Sequence, residues 1–267
     1  MSKFAQHWGL LGVSAALFTA SAATTVLWCG SMSAMPGMEM PGGWTMSMAW
    51  MRMPGQSWPG AVAAFLGMRS VMMIAMMLPS LVPMLMRYRA AVATTSTSTS
   101  TSTTKQLARL TSVVAAGYYF VWILAGVAAY PIGLALAATE MHLPSIARAV
   151  PIATGMVVMF AGALQFTAWK AHQLACCRSE LTRPLPAEFG TAWHHGLRLG
   201  LDCVHCCAGL TAVLLVLGVM DLRAMLLVTL AITLERLSPA AAHVARGLGA
   251  IAIASGSIQL ARAIVLQ

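Results

Sequence analysis

Five of the six cysteines lie in two short groups, Cys176-Cys177 and Cys203-x-x-Cys206-Cys207. On a helix Cys203, Cys206 and Cys207 stand at i, i+3 and i+4, so their thiols converge on one face, while Asp202 and His205 share another. His172 and Cys176 are spaced i, i+4, and His194 and His195 fall between the two groups. Thiolate and imidazole suit Cu(I) or Zn(II), whereas Mg, Ca and Mn want carboxylates, which are scarce here. Close packing of a small side chain at a helix interface accounts for one or two cysteines. A CxxCC beside a CC pair and three histidines points instead to a metal site. The spacing between Cys177 and Cys203 matches no compact zinc finger, so helix packing must build that site.

Methionine is the second source of soft ligands, with 21 in the chain. Met32, Met35, Met38, Met40, Met46, Met48, Met51 and Met53 crowd into a Gly/Pro-rich stretch at residues 31–58. Thioether sulfur does not titrate and suits Cu(I), so this stretch reads as copper capture; the bland alternative is apolar filling of a surface loop. A second cluster is Met68, Met72, Met73, Met76, Met77, Met84 and Met86. Met68, Met72 and Met76 share one helical face, and Met73 and Met77 form an adjacent row leading to Pro79. Such a stripe holds or passes a soft metal, or simply packs a helix.

The elements that position these residues are membrane spans. Of 267 residues 59% are hydrophobic and 9% charged, which excludes an ordinary water-soluble domain and leaves room for six or seven helices of about 20 residues. Apolar runs place spans at residues 8–28, 58–86, 110–139, 151–169, 203–220 and 222–237, with a weaker seventh at 247–264. The fold class is all-α and polytopic. The first run either stays as a helix or is a cleaved signal peptide, since Ala20-Ser21-Ala22 resembles a cleavage site. Residues 31–58 read as a loop, residues 94–104 as a disordered Thr/Ser linker, and residues 170–202 as the most polar loop. The +9 charge is spread between spans rather than gathered in a patch, which speaks for topology and against nucleic acid.

Basic residues in the loops set the orientation. Arg87, Arg89, Lys105, Arg109, Lys170, Arg178, Arg183, Arg198, Arg236 and Arg246 fall on one side, and Arg52, Arg148 and Arg223 on the other. The positive-inside rule then puts the N-terminus and the cysteine groups in the cytoplasm and the Met-rich loop outside, in a bacterial inner membrane. Reducing conditions there favour thiol ligands over disulfides. Glu235 beside Arg236 reads as an interfacial charge. Arg69 has two readings: a cationic partner of Asp221 or Glu140, or the true start of a shorter second span.

The segments MMIAMMLPS at residues 72–80 with Pro83-Met84, GLRLGLDCVHCC at 196–207, Gly218-Val219-Met220-Asp221-Leu222 and Leu234-Glu235-Arg236-Leu237 resemble the predicted metal-binding integral membrane proteins, a bacterial family of undefined role. The resemblance covers most of residues 60–240 and implies a multi-span inner-membrane protein with bound metal. The family pattern carries Gly before the paired Cys and Asn in the GVMxL turn, where this chain has His205 and Asp221.

Together these features lead to a soft-metal handler, Cu(I) before zinc, with a cuproenzyme or metallochaperone as partner. A gradient-driven transporter and a metal-free assembly subunit are the alternatives. No P-loop, HExxH or paired carboxylates support an ATPase or a hydrolase. The expected ligands are Cys176, Cys177, Cys203, Cys206, Cys207, His172, His205, Met72, Met73, Met76, Met77, Met35, Met38 and Met40.

Overall fold

A computed structural model describes residues 3–33, 37–41, 43–46, 55–93, 101–179, 186–218 and 221–265. They form eight helices and one short hairpin: α1 Lys3–Ser33, β1 Met38–Met40, β2 Trp44–Met46, α2 Trp58–Ala93, α3 Thr101–His142, α4 Pro144–Leu164, α5 Ala168–Ser179, α6 Phe189–Leu217, α7 Leu222–Leu237 and α8 Ala241–Val265. Six of them, all but α5 and α7, are long and apolar enough to cross a membrane. With no water to satisfy the backbone, a helix is the economical way for such a segment to close its own hydrogen bonds.

Small residues set how closely the helices approach. Gly196 and Gly200 stand one turn apart on α6, against α3. A Cβ at Gly196 would overlap the Val114 carbonyl, and one at Gly200 would stand 2.9 Å from Val121 Cβ and 3.0 Å from the Tyr118 carbonyl oxygen. The α4–α8 pair uses the same device, with Gly162 against Gly249 and Gly155 against Gly256. In an apolar medium this contact between backbones, rather than expulsion of water, holds helices together. Between α6 and α7, Gly218 adopts φ 117°, a conformation open to glycine, and Asp221 caps α7 by accepting from the Arg223 and Ala224 backbone N–H groups.

Several elements differ from the sequence reading. The Met-rich segment is not all loop: Met38–Met40 pairs antiparallel with Trp44–Met46, and Trp44 Nε1 donates to the Ala147 carbonyl at 2.8 Å. Of the linker at 94–104, residues 101–104 already belong to α3, and 94–100 lie outside the described residues. The fourth helix starts at Pro144 rather than Pro151, because Pro144 takes the first-turn position and Pro151 is carried inside the helix. The polar stretch at 170–202 is largely α5 and the first half of α6, so Cys203 lies midway along α6 instead of at its start. The two prolines of α2, Pro79 and Pro83, do not end it. The residues of the weak seventh run form α8, whereas α7, with 16 residues, is short for a span.

The α3–α6 contact gives a stability test. Gly196→Ala should lower the stability of the detergent-purified protein by about 1–3 kcal/mol through overpacking. Gly190→Ala, where a Cβ meets nothing within 4 Å, should not. Thermal denaturation followed by intrinsic fluorescence separates the two.

Candidate metal centre

Midway along α6 the thiol of Cys203 is the centre of a buried polar cluster. Cys203 and Cys207 stand one turn apart with Sγ atoms 3.8 Å from each other. From α2, Met77 Sδ comes within 3.9 Å of Cys203 Sγ. From α3, the Tyr118 hydroxyl donates to Cys203 Sγ at 3.0 Å, a reach that the Gly196 and Gly200 contact makes possible. All four residues are essentially inaccessible.

The last turn of α7 brings a full charge into this place. Arg236 is 4% exposed, and its Nη1 donates to Cys203 Sγ at 3.0 Å, to Ser80 Oγ at 3.1 Å and to Tyr118 Oη at 3.4 Å. Its Nη2 lies 3.3 Å from Met84 Sδ. Met77, Ser80 and Met84 fall at i, i+3 and i+7 on α2, which is why one helix face can serve both the thiol and the guanidinium.

Along the same face of α6 Cys206 follows, buried in one core cluster with Cys207 and with Cys177 of α5. Lys170 of α5 donates to the Cys206 carbonyl at 2.6 Å and pairs with Glu235 Oε2 of α7 at 2.7 Å, both side chains being buried. Burial works against the Lys170 ammonium, but Cys206 and Glu235 raise its pKa above the usual lysine value. Cys206, together with burial, pushes the Cys177 thiol up. Met77, Cys203, Cys207, Cys206 and Cys177 therefore make one sulfur row crossing three helices.

The expected ligands divide accordingly. Cys177, Cys203, Cys206, Cys207 and Met77 come together. Cys176 and His172 sit near the surface of α5, 3.5 Å apart, and His205 is exposed on the opposite face of α6 from the cluster. Met72, Met73 and Met76 are buried in the bundle core. Met38 is exposed, Met40 packs with Met46 against Ala137 and Ala147, and Met35 lies outside the described residues. His194 and His195 belong to α6 rather than to a loop, and the His195 ring stacks on Tyr88. Among the described residues no three of His, Cys, Asp and Glu converge as a metal cage. The cluster at Cys203 is instead two thiols with a thioether and a cation.

Four charges read from sequence as interfacial or loop residues are buried. Glu235 does not pair with its neighbour Arg236 but with Lys170, and Arg236 turns to Cys203. Lys170 and Arg89 are likewise buried. The visible signal was an adjacent Glu-Arg in an otherwise apolar helix; the partners, from distant helices, carried none.

The family profile PpoB2, described as a copper chaperone, matches residues 66–259, a stretch that includes α6, α7 and every residue of the sulfur row. The metal expected from the cysteines and methionines is thus the metal of the family. Comparison with curated proteins and with solved structures gives no match.

The buried ion pair has its own test. Glu235→Leu should cost about 3–5 kcal/mol, because it leaves the Lys170 ammonium buried without a counter-charge. Lys170→Met with Glu235→Leu should recover most of that loss. A double-mutant cycle in detergent measures both.

Proposed function

This chain belongs to the PpoB2 copper chaperone family, and we propose that it is a multi-span protein of the bacterial inner membrane that holds Cu(I) between Cys203, Cys207 and Met77 and passes it along the sulfur row. The observation that carries this reading is that two further sulfurs, Cys207 Sγ and Met77 Sδ, stand 3.8 and 3.9 Å from Cys203 Sγ. An ion about 2.3 Å from two sulfurs so spaced, the length of a zinc–thiolate bond, sees them at an angle of about 110°. That suits a three- or four-coordinate soft metal.

Charge favours Cu(I) over Zn(II). Two thiolates and Cu(I) carry one net negative charge, which the Arg236 guanidinium cancels. Two thiolates and Zn(II) are neutral already, so Arg236 would be left as an uncompensated charge in the bundle, at a cost of several kcal/mol. The Lys170–Glu235 pair is self-neutral and does not alter the balance.

From Cys207 the ion steps by ligand exchange to Cys206 and Cys177, each step replacing one sulfur by the next. Cys176 and His172, near the surface of α5, are the place where it meets a cuproenzyme or metallochaperone. Exposed Arg87, Lys105, Arg109, Arg198 and Arg246 favour the cytoplasmic side for that end by the positive-inside rule. Met38, exposed on the hairpin, and Met35 near it in sequence capture copper on the other face, while Met40 is packed with Met46.

Protein purified from copper-supplemented cells should carry near-stoichiometric copper. Cys203→Ser with Cys207→Ser should reduce it to background, whereas Cys29→Ser, on α1 and outside the row, should leave it unchanged. Elemental mass spectrometry reads all three. Equal copper in the double variant would overturn the assignment.

A further inference from the structure

Arg69 takes no part in the sulfur row. It lies in the first half of α2, 6% exposed, and its Nε has no hydrogen-bond partner. Two other buried groups in the same position are the Tyr119 hydroxyl and the Trp122 indole Nε1, both on α3. All three residues line one cavity of about 110 Å³ between α2 and α3. The rest of its wall is Leu66, Met73, Ile74 and Ile123, with Gly126 and Ser70. The Ser70 hydroxyl is already satisfied by the Leu66 carbonyl at 2.7 Å.

No carboxylate lines this cavity, and neither Asp221 nor Glu140, the partners considered from sequence, is among its walls. Room for the guanidinium comes from Gly126, where a Cβ would stand 3.1 Å from Arg69 Cδ and 3.2 Å from Nε. A buried cation beside unpaired donor groups, with no anion to balance it, is costly for folding alone. Within an apolar helix an ionisable residue of this kind marks a functional site.

We propose that the cavity binds the carboxylate of a small lipid-phase amphiphile of the fatty-acid class. The carboxylate pairs with the Arg69 guanidinium and accepts from the Trp122 N–H and the Tyr119 O–H. Its alkyl body lies along Leu66, Ile74 and Ile123. A neutral carbonyl ligand would satisfy the N–H groups and leave the charge, and an inorganic anion would satisfy the charge and leave the apolar wall uncovered. The cavity is smaller than the roughly 150 Å³ that takes up benzene. It therefore holds the headgroup and the first methylenes, while the chain continues past Ile123, which is 40% exposed at the bundle surface. The site is separate from the metal centre and does not depend on the copper reading. The two sites adjoin through the edge-to-face pair of Tyr118, which bonds Cys203, and Tyr119, which lines the cavity, with ring centroids 5.2 Å apart.

The test is native mass spectrometry of the delipidated full chain incubated with laurate or with methyl laurate, counting ligand retained after the detergent is removed. Wild type should retain a single laurate saturably and bind the methyl ester at least about tenfold more weakly, as expected for a lost charged hydrogen bond. Arg69→Gln should show the same loss for laurate, and Trp122→Phe a smaller one. Equal retention of acid and ester by wild type would overturn the proposal even if Arg69→Gln fails to fold. So would protection against heat by chloride as strong as that by laurate, which would assign the cavity to an inorganic anion.

Discussion

A guanidinium placed inside an apolar bundle must find partners, and the arrangement around Arg236 follows from that requirement. Charge in a low-dielectric interior interacts strongly, so both the cost of leaving it alone and the gain from pairing it are large. Its partners come from three other helices: Ser80 and Met84 of α2, Tyr118 of α3 and Cys203 of α6. Tyr118 and Cys203 meet at Arg236 where α3 and α6 touch closely at Gly196 and Gly200. The same contact brings the Tyr118 hydroxyl onto Cys203. Two polar groups in one apolar space have become a single constraint on the register of four helices.

The second constraint is the Lys170–Glu235 pair, which ties the short helix α5 to α7 and, through the Cys206 carbonyl, to the middle of α6. Adjacent residues of α7 thus point to different neighbours: Glu235 to α5 and Arg236 to α6. Both belong to one helical turn, so α7 sets the ends of the sulfur row at once. This short helix is too brief for an ordinary span, yet it carries the two charges on which the centre is built.

Apolar runs longer than the bilayer is thick can be read directly from the sequence, and α1, α2, α3 and α8 lie where those runs are. The α6–α7 hairpin was legible too, because only the short turn at Asp221-Leu222-Arg223 separates two apolar runs. The convergence of Cys203 with Cys207 followed from helical spacing alone. Composition misled at residues 170–202, where polar content hid an amphipathic helix whose inner face is Lys170, Leu174 and Cys177 at i, i+4 and i+7. Lys170, Arg89 and Arg236 were counted as loop charges, since a charge can be buried only with a partner and those partners lie far off in sequence. Periodicity separated the methionines of α2 into two faces but could not tell which face meets Cys203; it is that of Met77 and Met84.

In the proposed site copper sits among sulfurs, balanced by Arg236, with no histidine ligand. Copper K-edge X-ray absorption on the copper-loaded protein in detergent tests this most directly. The expected spectrum is that of Cu(I) with two or three sulfur scatterers and no nitrogen or oxygen in the first shell, losing one sulfur in Met77→Leu. A first shell of imidazole nitrogen, or a Cu(II) edge under reducing conditions, would contradict it.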